Sequence, residues 1–172
     1  MCECRGVSPN PVPQANDVGT LLADVFRWHP AGVAVLTADG PSRPVGMTVS
    51  SLASVSVVPP MVSVSMANTS TTLAALHEGD RAVVHLLDAG QEDLADSFAR
   101  HGVSALGIDW ERSVEDAPQL DVETPRLHAV VTRLVDVGSA TLVALTVERI
   151  ETGRRASSAL VRMGRGWYSV PR

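Results

Sequence analysis

Along the chain the apolar and polar positions change period several times, and each change marks an element. From Asp17 the residues Leu21, Leu22, Val25 and Phe26 fall on one stripe of a 3.6-residue repeat, predicting a helix that ends before Pro30. From Gly32 the period shortens. Val33–Thr37 reads as a short buried strand, and Asp39-Gly40-Pro41 turns the chain. Another strand runs from about Pro44 to about Val57, stopped by Pro59-Pro60, and Met61–Met66 is strand-like again. A short helix starts within Thr69–Thr72 and carries Leu73, Ala74 and Leu76. Ala82–Leu87 then reads as a strand and Gln91–Ala99 as a helix, while 101–126 is turn-rich and wraps the surface.

The last third is all strand. Leu127–Val137 and Thr141–Ile150 flank Gly138-Ser139, and the shorter runs Ala159–Met163 and Trp167–Val170 flank Gly164-Arg165-Gly166. Roughly seven strands with three peripheral helices, and no regular alternation of strand and helix, predict a mostly β fold built as an antiparallel barrel. Residues 1–16, with Gly6, Pro11 and Pro13, read as a disordered lead-in, leaving 17–172 as one domain.

Composition narrows this picture. The chain has 172 residues, 45% of them hydrophobic but only 3% aromatic, so Val, Ala and Leu must form the core. All basic side chains are arginine, 14 in number, within a net charge of −5. Scattered arginine on an acidic chain predicts no nucleic-acid partner. The absence of lysine excludes a Schiff-base lysine and a P-loop lysine. No stretch has signal-peptide or transmembrane length, so no membrane is expected and the protein reads as cytoplasmic. Cys2 and Cys4 alone cannot complete a tetrahedral zinc shell, and the five histidines stand at no ligand-like spacing. A dinucleotide-binding glycine motif after a strand is absent too.

Two runs of hydroxyl side chains stand out. In Gly46–Ser56, Thr48, Ser50, Ser54 and Ser56 share one face at period two, and Met47, Val49, Ala53 and Val55 share the other. This is either a strand with one wet face or a surface whose small polar side chains admit a flat, polar-edged ligand. The second run, Ala67-Asn68-Thr69-Ser70-Thr71-Thr72, precedes an apolar helical stretch. It suits an ordinary helix cap, and it equally suits an anion at the unpaired N–H groups of a helix start.

Taken in order, these segments resemble the flavin reductase-like domain family. Phe26–Thr37 looks like that family's entry into its first barrel strand, Gly46–Met66 its flavin-cradling strand pair, Ala67–Leu76 its phosphate turn and helix, and Arg81–Ala99 the strand and helix that follow. The resemblance is dense from about residue 20 to 100 and is carried by pattern alone beyond. It implies an FMN-binding split barrel of antiparallel, Greek-key type, and a homodimer with FMN or FAD between subunits. Thr48, Val49, Ser50 and Ser51 would meet the isoalloxazine, partly through backbone groups. Thr69, Ser70 and Thr72 would hold the phosphate, with Asn68 as neighbour. Ser65 would lie near the ring, and His85 would either touch flavin or be a buried, hydrogen-bonded strand histidine.

The implied activity is hydride transfer from NADH or NADPH to the flavin, which then serves a flavin-dependent monooxygenase. Relatives often place Gly-Asp-His-Thr at the turn into the long C-terminal strand, where the histidine approaches nicotinamide. Here the run is Gly138-Ser139-Ala140-Thr141. That departure keeps open a non-enzymatic flavin carrier or redox sensor, and a tightly held flavin acting on another substrate.

Overall fold

The structure, a computed structural model, describes residues 15–40, 43–101, 110–111, 117–154 and 158–171. The chain begins with helix α1 (Ala15–Arg27), then β1 (Ala31–Gly32), β2 (Ala34–Asp39), β3 (Pro44–Val49), β4 (Ala53–Val57) and β5 (Pro60–Ala67). A single 3-10 turn at Leu73–Ala75 leads to β6 (Arg81–Leu86) and α2 (Glu92–His101). The remainder is β7 (Trp110–Glu111), β8 (Gln119–Leu120), β9 (Arg126–Asp136), β10 (Ala140–Glu151), β11 (Ser158–Met163) and β12 (Gly166–Pro171).

Seven strands form one antiparallel sheet in the order β3-β2-β6-β9-β10-β5-β4. Its two edge strands, β3 and β4, are consecutive in the chain and joined only by Ser50–Leu52. Four Cα steps, from Val49 to Ala53, reach at most about 14 Å. A flat seven-stranded sheet would set its edges about twice as far apart, at nearly 5 Å per strand. The sheet therefore curls until its edges meet without pairing, which is a barrel split along one seam.

Alternation fills the interior. Ala34, Leu36 and Ala38 of β2 point inward with Val64 and Met66 of β5, Ala82 and Val84 of β6, Val131 of β9, and Val143 and Leu145 of β10. Alanine at 34, 38, 82 and 129 lets so narrow a barrel close around its valines and leucines. Val35 on the opposite face of β2, and Val33 just before the strand, pack with Ala95 and Phe98 of α2 and Leu160 of β11 in a second cluster. Strand β2 is thus covered on both sides, which is why its residues from Ala34 to Ala38, Thr37 included, are all buried. A three-stranded sheet, β1-β11-β12, lies beside the barrel.

Several expectations need correction. The strand predicted from Pro44 to Val57 is two strands, because Ser50–Leu52 crosses the seam. Its valine face does not reach a core beyond that crossing, where Val55 and Val57 are 60% and 83% exposed. The helix expected after Thr69–Thr72 is one 3-10 turn, ended where Leu76 tucks into the barrel and Gly79 turns the chain at φ 96°. Two α-helices, not three, occur among the described residues. The lead-in expected over 1–16, with Cys2 and Cys4, lies up to residue 14 outside the described residues.

Gly46 sets how closely α2 approaches the barrel. A Cβ there would stand 2.8 Å from the Leu36 carbonyl oxygen and 3.1 Å from the Phe98 ring. The first contact is backbone in a paired strand and cannot swing away. Gly46→Ala is expected to destabilise the fold by about 1–3 kcal/mol. Urea denaturation should show a lower midpoint with an unchanged slope.

Candidate functional site

Val49 sends its side chain into the barrel and is 3% exposed, so its neighbours Thr48 and Ser50 face outward. The Thr48 hydroxyl donates to the Ala95 carbonyl of α2 at 2.6 Å, fastening helix to strand. Ser50 is exposed on the crossover. The Ser51 hydroxyl donates to the Ser65 carbonyl and accepts from the Ser65 N–H, both at 2.9 Å. A side chain here replaces a missing strand partner and fixes the crossover onto β5.

Two clefts flank this crossover. One, of about 500 Å³, lies among Thr48, Ser50, Arg100, Arg162, Arg165 and Trp167. The other, of about 740 Å³, lies among Phe26, His29, Pro30, Ser50, Ser51 and Arg162. They meet at Ser50 and Arg162. In the first cleft Trp167 Nε1 donates to Asp96 Oδ1 at 3.0 Å, and Arg100 pairs with Asp96 Oδ2 at 2.6 Å. The Arg162 guanidinium lies 4.5 Å over the Trp167 ring. Sequence reasoning missed these arginines. The signal available was two arginines and a tryptophan around Gly164 and Gly166 in a chain without lysine.

The second hydroxyl run is partly engaged by the fold. Thr72 is buried and its hydroxyl donates to the Gly46 carbonyl at 3.1 Å. Ser70 Oγ accepts from the Leu73 N–H at 3.3 Å, and its own hydrogen faces only the Met47 sulfur at 3.4 Å, a weak acceptor. Asn68 clamps the β9–β10 turn: its amide donates to the Gly138 carbonyl and its oxygen accepts from Thr141. Thr69 is exposed, with no hydrogen bond to its hydroxyl among the described residues. The structure thus places Ser50, Ser51 and Thr48 together at the seam. Thr69 and Ser70 lie on the turn after β5, whose Ser65 is tied to Ser51.

Ala140 opens β10 opposite Ala67, directly behind the clamped turn. Its methyl group offers no hydrogen bond toward whatever approaches.

His85 lines neither cleft. It is fully buried, its Nε2 accepting from the Leu120 N–H at 3.1 Å. Nδ1 therefore carries the hydrogen and donates to the Val35 carbonyl at 3.2 Å. Both ring nitrogens hold backbone, as a structural histidine does. Among the described residues no cluster of His, Cys, Asp or Glu could hold a metal, and no helix is long and apolar enough to cross a membrane.

Small side chains on an exposed backbone crossover, between clefts bearing arginine and tryptophan, fit a flat heterocycle with a polar edge and an anionic tail. The model of the flavin reductase-like domain family matches residues 26–171. A Rhodococcus qingshengii protein named NADH:FMN oxidoreductase is 38% identical over 141 residues, covering 78% of this chain and 71% of its own. A flavin reductase domain protein from an Arthrobacter species superposes with a TM-score of 0.82 at 27% identity, over 90% of this chain and 97% of its own. The NADH:FAD oxidoreductase of Streptomyces globisporus, solved with NAD and FAD fragments, gives 0.77 at 29% identity, over 92% and 96%.

Burial, opposed by the bond to the Val35 carbonyl, lowers the His85 pKa from 6.5 to about 4. Protonation would also set two N–H groups, those of Nε2 and Leu120, against each other. The unfolded chain takes up this proton first, so the stability is complete above pH 6.5 and lost as pH falls toward 4. The gap corresponds to about 3 kcal/mol. Urea unfolding at pH 7 and pH 4.5 should show a drop that shrinks by about 2–3 kcal/mol in His85→Asn.

Proposed function

This chain belongs to the flavin reductase-like domain family, and from that premise we propose that it is an NAD(P)H:flavin oxidoreductase acting at the Ser50–Leu52 seam. The observation that carries the reading is the crossover itself: its Ser50 and Ser51 are small, exposed and outside the sheet ladder, with a cleft on either side. FMN or FAD held at this seam would supply the electron-accepting ring for the hydride of NADH or NADPH. The chain's own work is geometric, so no acid–base pair is required.

Ser50, Ser51 and the backbone of Thr48 and Val49 orient the ring edge, and Ser65 backs Ser51. Thr69 and the loosely held Ser70 hydroxyl face the phosphate, while Thr72 keeps the turn seated on Gly46. Asn68 holds the β9–β10 turn in place from the same segment. An open site of this kind suits exchange of reduced flavin with a flavin-dependent monooxygenase.

The helix α1 carries Leu22, Val25 and Phe26 on a face that is 57–69% exposed, and β4 exposes Val55 and Val57. Apolar side chains exposed in this number mark surface that another chain covers. A homodimer, with this surface between its subunits, fits that distribution. Ala140 is the one observation favouring the second reading, a flavin carrier or sensor without turnover.

FMN or FAD titration should perturb the flavin absorption band and quench its fluorescence. Anaerobic NADH or NADPH should then bleach the bound flavin slowly, and Ala140→His should accelerate the bleaching by up to about tenfold, the worth of one hydrogen bond. Bound flavin that neither nicotinamide reduces in either protein would establish the carrier reading; no flavin binding by folded protein overturns both. In sedimentation at micromolar concentration the native protein should run as a dimer, and a Leu22→Glu, Val25→Glu variant as a monomer.

A further inference from the structure

Ser70 has one hydroxyl hydrogen to give, and its direction is not fixed by the fold. The hydroxyl oxygen is held in place, because it accepts from the Leu73 N–H at 3.3 Å. The hydrogen turns about the Cβ–Oγ bond, and here it is directed at Met47 Sδ, 3.4 Å away. A thioether sulfur is a weak acceptor and yields that hydrogen readily to a charged oxygen. The turn itself stays on β3, since Thr72 donates to the carbonyl of Gly46, the neighbour of Met47, at 3.1 Å. Sulfur and hydroxyl are therefore kept face to face.

Met47 is half-buried at the margin of the barrel cluster, whereas Met66 is sealed at 1% exposure. Its chain neighbour Thr48 lines a cleft at the seam, so the sulfur lies close to where reduced flavin would be made. Reduced flavin that meets molecular oxygen passes it two electrons and two protons, giving hydrogen peroxide. The Met47 sulfur lone pair attacks one peroxide oxygen, forming an S–O bond as the O–O bond breaks. The departing hydroxide takes the proton of the transferred oxygen and leaves as water. Sulfur is oxidised by two electrons to the sulfoxide, and the peroxide is reduced by two.

We propose that Met47 is an oxidation site whose sulfoxide weakens phosphate binding at the Thr69–Thr72 turn by capturing the Ser70 hydroxyl. The proposal rests on the reading of that turn as the place of the flavin phosphate. A sulfoxide oxygen carries partial negative charge and is a strong acceptor, so it keeps the hydrogen that the thioether gives up. The phosphate then loses a donor and gains a neighbour of like sign. Peroxide made when reduced flavin goes unused thereby loosens the flavin that makes it. Enzymatic reduction of the sulfoxide restores the thioether and the original affinity.

The test treats flavin-free protein with hydrogen peroxide, locates the added oxygen by peptide mass spectrometry, and then titrates FMN and riboflavin. Met47 should gain one oxygen while Met66 does not. The FMN dissociation constant should rise at least about tenfold, the worth of one hydrogen bond to a charged group, and that of riboflavin by less than about twofold. Methionine sulfoxide reductase should reverse the change. Met47→Leu should bind FMN as tightly as the untreated native protein and ignore peroxide. Ser70→Ala should bind FMN weakly from the start and lose nothing more on oxidation, because both changes remove the same hydrogen. Sulfoxide at Met47 with FMN affinity unchanged overturns the proposal, as does a Met47 that peroxide leaves intact. So does equal weakening of FMN and riboflavin by oxidation, since a distorted fold rather than a captured hydroxyl would then be at work. The two readings fail separately. Ser70→Ala that weakens FMN and riboflavin alike, before any peroxide, overturns the phosphate turn; selective weakening by Ser70→Ala without an effect of oxidation overturns the Met47 switch alone.

Discussion

The structure depends on one connection. Strands β3 and β4 sit at opposite ends of a seven-strand order, yet three residues join them. That tether obliges the sheet to curl, and curling creates both the interior that Val, Ala and Leu fill and the seam where the ladder is interrupted. An interrupted ladder leaves backbone outside regular pairing, and here the fold answers with the Ser51 hydroxyl, which pairs both polar groups of Ser65. The same stretch thus closes the barrel and presents exposed polar backbone to solvent. Fold and site come from one constraint.

Much of this was legible in the sequence because the barrel is built on period two. The apolar runs at β2, β5, β6, β9 and β10 are each visible within a residue or two, and β9 and β10 are announced by Gly138, whose φ of 87° the turn requires. Three features were not legible, each for a physical reason. A strand that crosses a seam keeps its alternation while changing surroundings, so Pro44–Val57 reads as one element although Val49 is buried and Val57 is bare. The run after Thr72 has helix-forming residues, but Leu76 is claimed by the barrel interior after one turn. The arginine cleft assembles from α2 and the β11–β12 hairpin, more than sixty residues apart in the chain (Arg100 to Arg162), and no local pattern encodes such a meeting.

The hydroxyl-rich runs show how residue type and role come apart. Thr48, Ser51, Asn68 and Thr72 look alike as polar candidates, and each turns out to hold one part of the protein against another. Ser50 and Thr69 are left facing outward, with Ser70 only weakly occupied. Positioning groups outnumber the groups they position, which is what a site with no acid–base chemistry of its own demands.

The seam also separates two kinds of change. Nearly every side chain that fills the barrel belongs to a strand's inner face, Leu76 after the 3-10 turn being an exception, whereas Ser50, Arg162 and Arg165 belong to none of that interior. Substitutions at the rim and substitutions in the core act on different partners and are close to additive. Ligand preference in a protein built this way is free to drift without eroding its fold, and its core is free to be stabilised without retuning what it binds.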